Sequence, residues 1–200
     1  MKALLAGFAS LALLACPACS SEKTTVSERG VPHFEAPIAS GASIALYIRS
    51  GEIRILGTDS DRLTVDISGK NRDNIEDLRY NLKSSFRRTE LHVFGGPRND
   101  LTIEVHIPRA SELYARIPFG DVTIKQVTGS KDVELHAGDL TIEVGNPADY
   151  SRADASVNAG DLQAGPFGES HSGLFRSFSK SGSGKYTLHA HIGAGDLTLQ

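Results

Sequence analysis

Gly138-Asp139-Leu140-Thr141-Ile142 is the stretch on which the fold turns, because the chain repeats it. The same frame stands in Gly120-Asp121-Val122-Thr123-Ile124, in Gly160-Asp161-Leu162-Gln163-Ala164 and in Gly195-Asp196-Leu197-Thr198-Leu199. Gly51-Glu52-Ile53-Arg54-Ile55 is an early relative. Ahead of each glycine, apolar or small residues alternate: Ile44, Leu46, Ile48; Ala115, Ile117, Phe119; Val133, Leu135, Ala137; Ala155, Val157, Ala159; Ala190, Ile192, Ala194. A period of two lines one face of a strand. Beyond the glycine the alternation resumes out of step. Ala137 is followed by Leu140, Ala159 by Leu162, Ala194 by Leu197, Phe119 by Val122 and Ser50 by Ile53, a step of three each time.

A flat strand with that slip would turn its apolar face to water. The pairs Gly51-Glu52, Gly120-Asp121, Gly138-Asp139, Gly160-Asp161 and Gly195-Asp196 are therefore expected to be structural corners that re-aim the chain and keep one face inward. Glycine reaches positive φ without a Cβ clash, and aspartate can accept backbone N–H bonds at a bend. Short strands joined by corners and stacked predict an all-β domain, β-solenoid-like or a rolled β-sheet. The corner spacing, 18, then 22, then 35 residues from Gly120 onward, is less even than a regular coil would give. The long interval holds Gly165-Pro166-Phe167-Gly168 and a Ser/Gly-rich stretch at 177–184, expected as an exposed loop with an extra strand around 173–178. One short inserted helix is expected from Asp73, where Ile75, Leu78 and Leu82 fall at i, i+3 and i+7. Further strands are expected at 90–94 and 101–107, and the last strand, 197–200, is expected to leave an open edge.

The first residues stand apart. Met1-Lys2 precedes an apolar run at 3–15 that has signal-peptide dimensions and is too short to span a bilayer as a helix. It ends Leu13-Leu14-Ala15-Cys16, which resembles the bacterial lipobox, whose cysteine is diacylated and becomes the new N-terminus. The resemblance implies lipidation of Cys16 and a membrane partner through that lipid. The alternative is plain secretion with cleavage near Ser20. Both cysteines, Cys16 and Cys19, lie here, so the remaining chain has no thiol chemistry. The expected division is a signal peptide at 1–15, a lipidated N-terminus and flexible tether at 16–40, and a β-repeat domain at 41–200. Phe34 and Ile38 are candidates to tie the tether to the domain as an edge strand.

The run Leu101-Thr102-Ile103-Glu104-Val105-His106-Ile107-Pro108, then Glu112-Leu113-Tyr114-Ala115, then the Gly120-Asp121 unit resembles a bacterial adhesin-like domain of unknown function. In that family a strand closes on proline, a short turn follows, and Gly-Asp-hydrophobic units recur. The resemblance covers residues 44–200 and implies the fold and a surface-adhesion role, without naming chemistry.

The net charge of −3 argues against nucleic acid as a partner. Aligned Asp121, Asp139, Asp161 and Asp196 could bind Ca²⁺, but each aspartate satisfying its own turn is the simpler expectation. His189 and His191 share a strand face at metal-ligand spacing, and are expected as surface histidines. His106 and His136 also point outward and could lie near each other. The chain has no Gly-x-Ser-x-Gly, no His-Glu-x-x-His and no phosphate loop, so no enzyme, no metal and no cofactor are expected. Thr123, Thr141 and Thr198 face outward beside Lys125, Glu143 and Gln200, a row that could meet a glycan or protein. The expected function is a non-catalytic envelope binding or adhesion module. A self-associating structural protein is the alternative, and a carbohydrate-active enzyme on a β-helix scaffold a third.

Overall fold

The computed structural model describes residues 23–39, 41–70, 73–97 and 99–200. Cys16 and the signal-peptide reading lie outside them. In chain order the strands are β1 (Thr24–Arg29), β2 (His33–Pro37), β3 (Ser43–Ile48), β4 (Glu52–Thr58), β5 (Arg62–Ser68) and β6 (Arg79–Ser84). They continue as β7 (Arg88–Phe94), β8 (Thr102–Pro108), β9 (Leu113–Phe119), β10 (Asp121–Lys125), β11 (Lys131–Ala137) and β12 (Leu140–Ile142). The last are β13 (Tyr150–Ala164), β14 (Glu169–Ser181), β15 (Tyr186–Ala194) and β16 (Leu197–Leu199). The described chain is thus almost wholly β.

All strands belong to one sheet, rolled so that two walls face each other. The first wall runs β1-β6-β7-β3-β9-β11-β15-β13, and the second β13-β16-β12-β10-β4-β8-β5-β2. β13 belongs to both: its first part pairs with β15 and its last three residues with β16. Each Gly-Asp pair turns the chain from one wall into the other. The proof is the register, which survives the corner unchanged. Leu113 opposes Lys131 before it and Val122 opposes Leu140 after it, 18 residues apart on both sides. Lys131 likewise opposes Leu188, and Leu140 opposes Leu197. The chain thus passes from one wall to the other at points that lie one on another.

Parallel stacking puts the apolar alternations on one interior. Ile44, Leu46, Ile53, Ile55, Ala115, Val122, Val133, Leu140, Ala190 and Leu197 are all fully buried or nearly so. Parallel strands give no short return, so the chain travels across the open side of the layers between units. At one end the parallel stack is closed by antiparallel layers: β5 and β6 on β8 and β7, then β2 and β1 outermost. At the other end β14 runs antiparallel along the whole bend of β13.

Several expectations are corrected. The helix from Asp73 is absent: Ile75 and Leu78 are buried in a turn, and 79–84 is strand β6. Leu78, Tyr80 and Leu82 alternate, and Tyr80, 1% exposed, supplies the apolar position that the helical spacing skips. Within the described part of 16–40, β1 and β2 pair with β6 and β5. Phe34 and Ile38 are buried as expected of anchors, and Phe34 stacks on Tyr80 at 5.1 Å. Residues 177–181 belong to β14 and not to a loop. The last strand is no edge: β16 lies between β12 and β13. The residues just before the corners, Ala137, Ala159, Ala194 and Phe119, sit outside the core, and Phe119 is 55% exposed.

Candidate functional site

The corner ridge is built by contact as well as by conformation. Gly51, Gly120, Gly138, Gly160 and Gly195 all hold φ between 127° and 137°. A Cβ on Gly138 would stand 2.0 Å from the Gly120 carbonyl oxygen, and one on Gly195 1.9 Å from that of Gly138. One corner rests directly on the next. The acidic residues then link the layers. The Asp139 amide donates to Asp121 Oδ1 at 3.3 Å, the Asp196 amide to Asp139 Oδ1 at 3.0 Å, and the Asp161 amide to Asp196 Oδ1 at 2.9 Å. The carboxylates of Asp121, Asp139 and Asp196 thus serve the corner beside them in space rather than their own turns. Glu52, one methylene longer, accepts from Arg54 and from the Thr102 hydroxyl. The Arg54 guanidinium, ahead of the other causes, holds the Glu52 carboxyl below the usual range. This ridge holds structure.

The threonine row is real: Thr123 opposes Thr141, and Thr141 opposes Thr198, on the outer face of the second wall. It is a row of short, half-exposed side chains with little relief. His106 lies on this wall, bonded to Glu104 at 2.8 Å, and His136 lies on the first, so the two are not brought together.

The outer face of the first wall is more differentiated. Across β7, β3, β9, β11, β15 and β13 one register line carries His92, Tyr47, Arg116, Glu134, His191 and Ser156. Tyr47 stacks on His92 at 4.4 Å, and the Tyr114 ring lies 6.1 Å away, tilted. The Arg116 guanidinium stands 3.5 Å from the Tyr114 ring centroid and forms ion pairs with Asp132 at 2.9 Å and Glu134 at 3.1 Å. The His92 hydrogen bond holds the Glu90 carboxyl below its ordinary range. This pile buries Ala45, an outer-face residue by alternation. Toward the corners the wall opens into a trough of about 710 Å³. Its lining includes Phe94, Pro118, His136, Asn158 and Gly193. Gly193 leaves the floor low, since a Cβ there would meet the His136 carbonyl oxygen at 2.4 Å. Phe94, 41% exposed, borders the trough, and Phe119 meets His136 edge-on at 5.9 Å.

The histidine pair is split in use. His191 bonds Ser156 at 2.8 Å, while His189 stands opposite Asp132. Ligand atoms of Asp132, Glu134 and His189 lie within 4.8 Å of one another, so these three could meet one cation if Arg116 swung out. With Arg116 paired to both carboxylates, one positive charge already offsets part of their two negative ones.

One ionisable group is buried on the inner side of the same wall. Lys131, 1% exposed, donates to the Tyr150 hydroxyl at 2.7 Å and the Gly129 carbonyl at 3.2 Å. Tyr150 in turn donates to the Val144 carbonyl at 3.0 Å. Burial pushes the Lys131 ammonium down to about 8 and the Tyr150 phenol up to about 12. The chain of bonds gives each polar group in it at least one partner.

Sequence reasoning placed the corners and the outward histidines but passed over Tyr47, His92, Tyr114 and Arg116. Their signal was present as aromatic and arginine residues at outward positions of successive units. It becomes a surface only once the spatial order β7-β3-β9-β11 is known, because these units are distant in the chain.

No family model and no curated protein matches the chain. Among solved structures, a "putative cell adhesion protein" from Clostridium sporogenes is similar to it at a TM-score of 0.47 and 12% identity, over 90% of this chain and 100% of that one.

Proposed function

We propose that this protein is a non-catalytic binding module of the bacterial cell envelope, exported and held at a membrane by a lipid on Cys16, and that the trough on its first wall receives a glycan. The fold is read here as solenoid-like, a stack of bent layers that offers long flat walls. One observation carries the reading: the trough combines an apolar floor with planar polar groups along one register line. Ligand sites in general pair apolar surface with a few placed polar groups. Sugars suit such a surface, since their C–H faces pack on aromatic rings and their hydroxyls pair with carboxylate, guanidinium and amide groups. Phe94 and His92 supply rings, and Glu134, Arg116 and Asn158 supply partners.

The test is a glycan array probed with the protein and with Phe94→Ala, Asn158→Ala and Glu134→Gln variants. Binding that falls at least about tenfold in the variants, roughly 1.4 kcal/mol, is the expected result. Binding unchanged in all three contradicts the site. Capture of a peptide or protein instead of any glycan contradicts the ligand class. Palmitate incorporation lost in Cys16→Ala is expected for the anchor, and unchanged labelling contradicts it.

A further inference from the structure

β14 is paired on one side only, with β13, and along its length it is nearly all exposed. Leu174 is 64% and Phe175 80% exposed at its middle. Such an edge presents free backbone groups to any strand that fits. What fits is set by the bend. β14 turns its own corner at Gly173, opposite Gly160 of β13. A partner strand must turn at the same place and keep its faces aligned.

The β13–β14 register shows which alignment the corner allows in an antiparallel pair. Ala159, before the corner, opposes Leu174, and Leu162, after it, opposes His171. Directly opposed residues share a face. Glu169, His171, Leu174, Arg176 and Phe178 therefore share a face with Ala164, Leu162, Ala159, Val157 and Ala155 of β13. A second β14 laid antiparallel on the first, corner on corner and face on face, brings Leu174 opposite His171 of the second copy. The next pair on that face in that alignment is Arg176 opposite Glu169. Two-fold symmetry repeats it, so two opposite-charge pairs flank the corner. In the single chain Arg176 folds back on its own edge, donating to the Ser172 carbonyl at 2.7 Å, and Glu169 bonds His171 at 3.0 Å. The opposite end of the stack differs. There β2 carries Glu35 paired with Arg62, His33 paired with Asp66, and Pro37, side chains that blunt an edge.

We infer that the protein forms a two-fold dimer through β14, with segments 169–176 of the two copies paired antiparallel and Arg176 of each against Glu169 of the other. The contact is isologous, so it closes at two copies and does not propagate. The occupant is a second copy because the strand's charges complement themselves in the one alignment the bend permits.

Sedimentation of the full chain across a wide concentration range tests this, with four proteins compared: wild type, Arg176→Glu, Glu169→Arg, and the double exchange of both. Wild type is expected to dimerise. Each single reversal sets like charges opposite each other twice and should weaken the dimer at least about tenfold. The double exchange should restore it. Circular dichroism checks that each variant keeps its β content, as exposed positions should. A wild type that stays monomeric overturns the inference. So does association that ignores both single reversals, which would place the contact elsewhere, including at the apolar N-terminal segment. Failure of the double exchange to recover the dimer also overturns it.

Discussion

At the residue scale the corners make the sharpest demand. Gly138 must adopt φ 127° and must carry no Cβ, since one would overlap the Gly120 carbonyl. Positive φ alone costs a non-glycine residue on the order of 1–3 kcal/mol, and here a backbone collision adds to it. Gly138→Ala is expected to destabilise the protein by more than about 3 kcal/mol in urea unfolding. Gly145, at φ 75° with open space around it, is the control, and Gly145→Ala should cost only about 1 kcal/mol. Lys131 makes a different demand. Its ordinary value is 10.5 and burial lowers it to about 8, so between these the unfolded chain binds more protons than the folded one. Stability from this group is therefore depressed below pH 8 and recovers as pH rises toward 10.5. Tyr150, raised to about 12, acts in the other direction, and only above pH 10. Between pH 8 and 10 the wild type should gain about 2 kcal/mol relative to Lys131→Met, read from denaturation at each pH. A constant difference across that window contradicts the buried, paired state of the ammonium. Gly and Asp at the corners were legible in the sequence because a slip in alternation has few physical causes. Lys131 was not, although its alternation with Val133 and Leu135 points it inward, because a lysine in a core row is rare without a partner and Tyr150 lies 19 residues away.

At the element scale, pairing decides what a strand means. β16 is three residues long and ends one residue before the end of the chain, and by sequence alone it looks like an edge. It lies instead inside the second wall, bonded on both sides, with Leu197 fully buried. Leu197→Ala is expected to cost about 2–5 kcal/mol, the range for a packed core leucine, whereas a fraying edge would lose under about 1 kcal/mol. The same dependence on partners explains the missing helix. Ile75, Leu78 and Leu82 satisfy a helical spacing, but Leu78, Tyr80 and Leu82 satisfy a strand spacing, and β7 and β1 stand ready on both sides of β6. Local periodicity offered both answers, and the available sheet edges chose. The candidate site failed to show for a related reason. Tyr47, Tyr114 and His92 are separated by dozens of residues and become one surface only through the β7-β3-β9 order.

At the scale of the whole molecule the architecture is a stack whose layers are not in chain order. The last corner, Gly195, is seated between Gly138 and Gly160, which precede it. Uneven corner spacing in the sequence hinted at irregularity, and the chain resolves it by leaving a slot that its final unit fills. The trough and the β14 end both depend on that arrangement: the one runs across six layers, the other terminates them. Disulfide trapping reads the order directly, in a background with Cys16 and Cys19 replaced by serine. In the stack Thr141 and Thr198 are neighbours across one strand pair, and Gln163 lies one strand further. Adjacent strands are about 4.8 Å apart, within disulfide reach, and alternate strands about 10 Å, beyond it. Mild oxidation should therefore join Thr141→Cys to Thr198→Cys and leave Thr141→Cys with Gln163→Cys free. The reverse outcome, with residue 141 joined to 163 and not to 198, would mean the layers follow the chain, and it would contradict the stacked order on which the trough and the terminal edge rest.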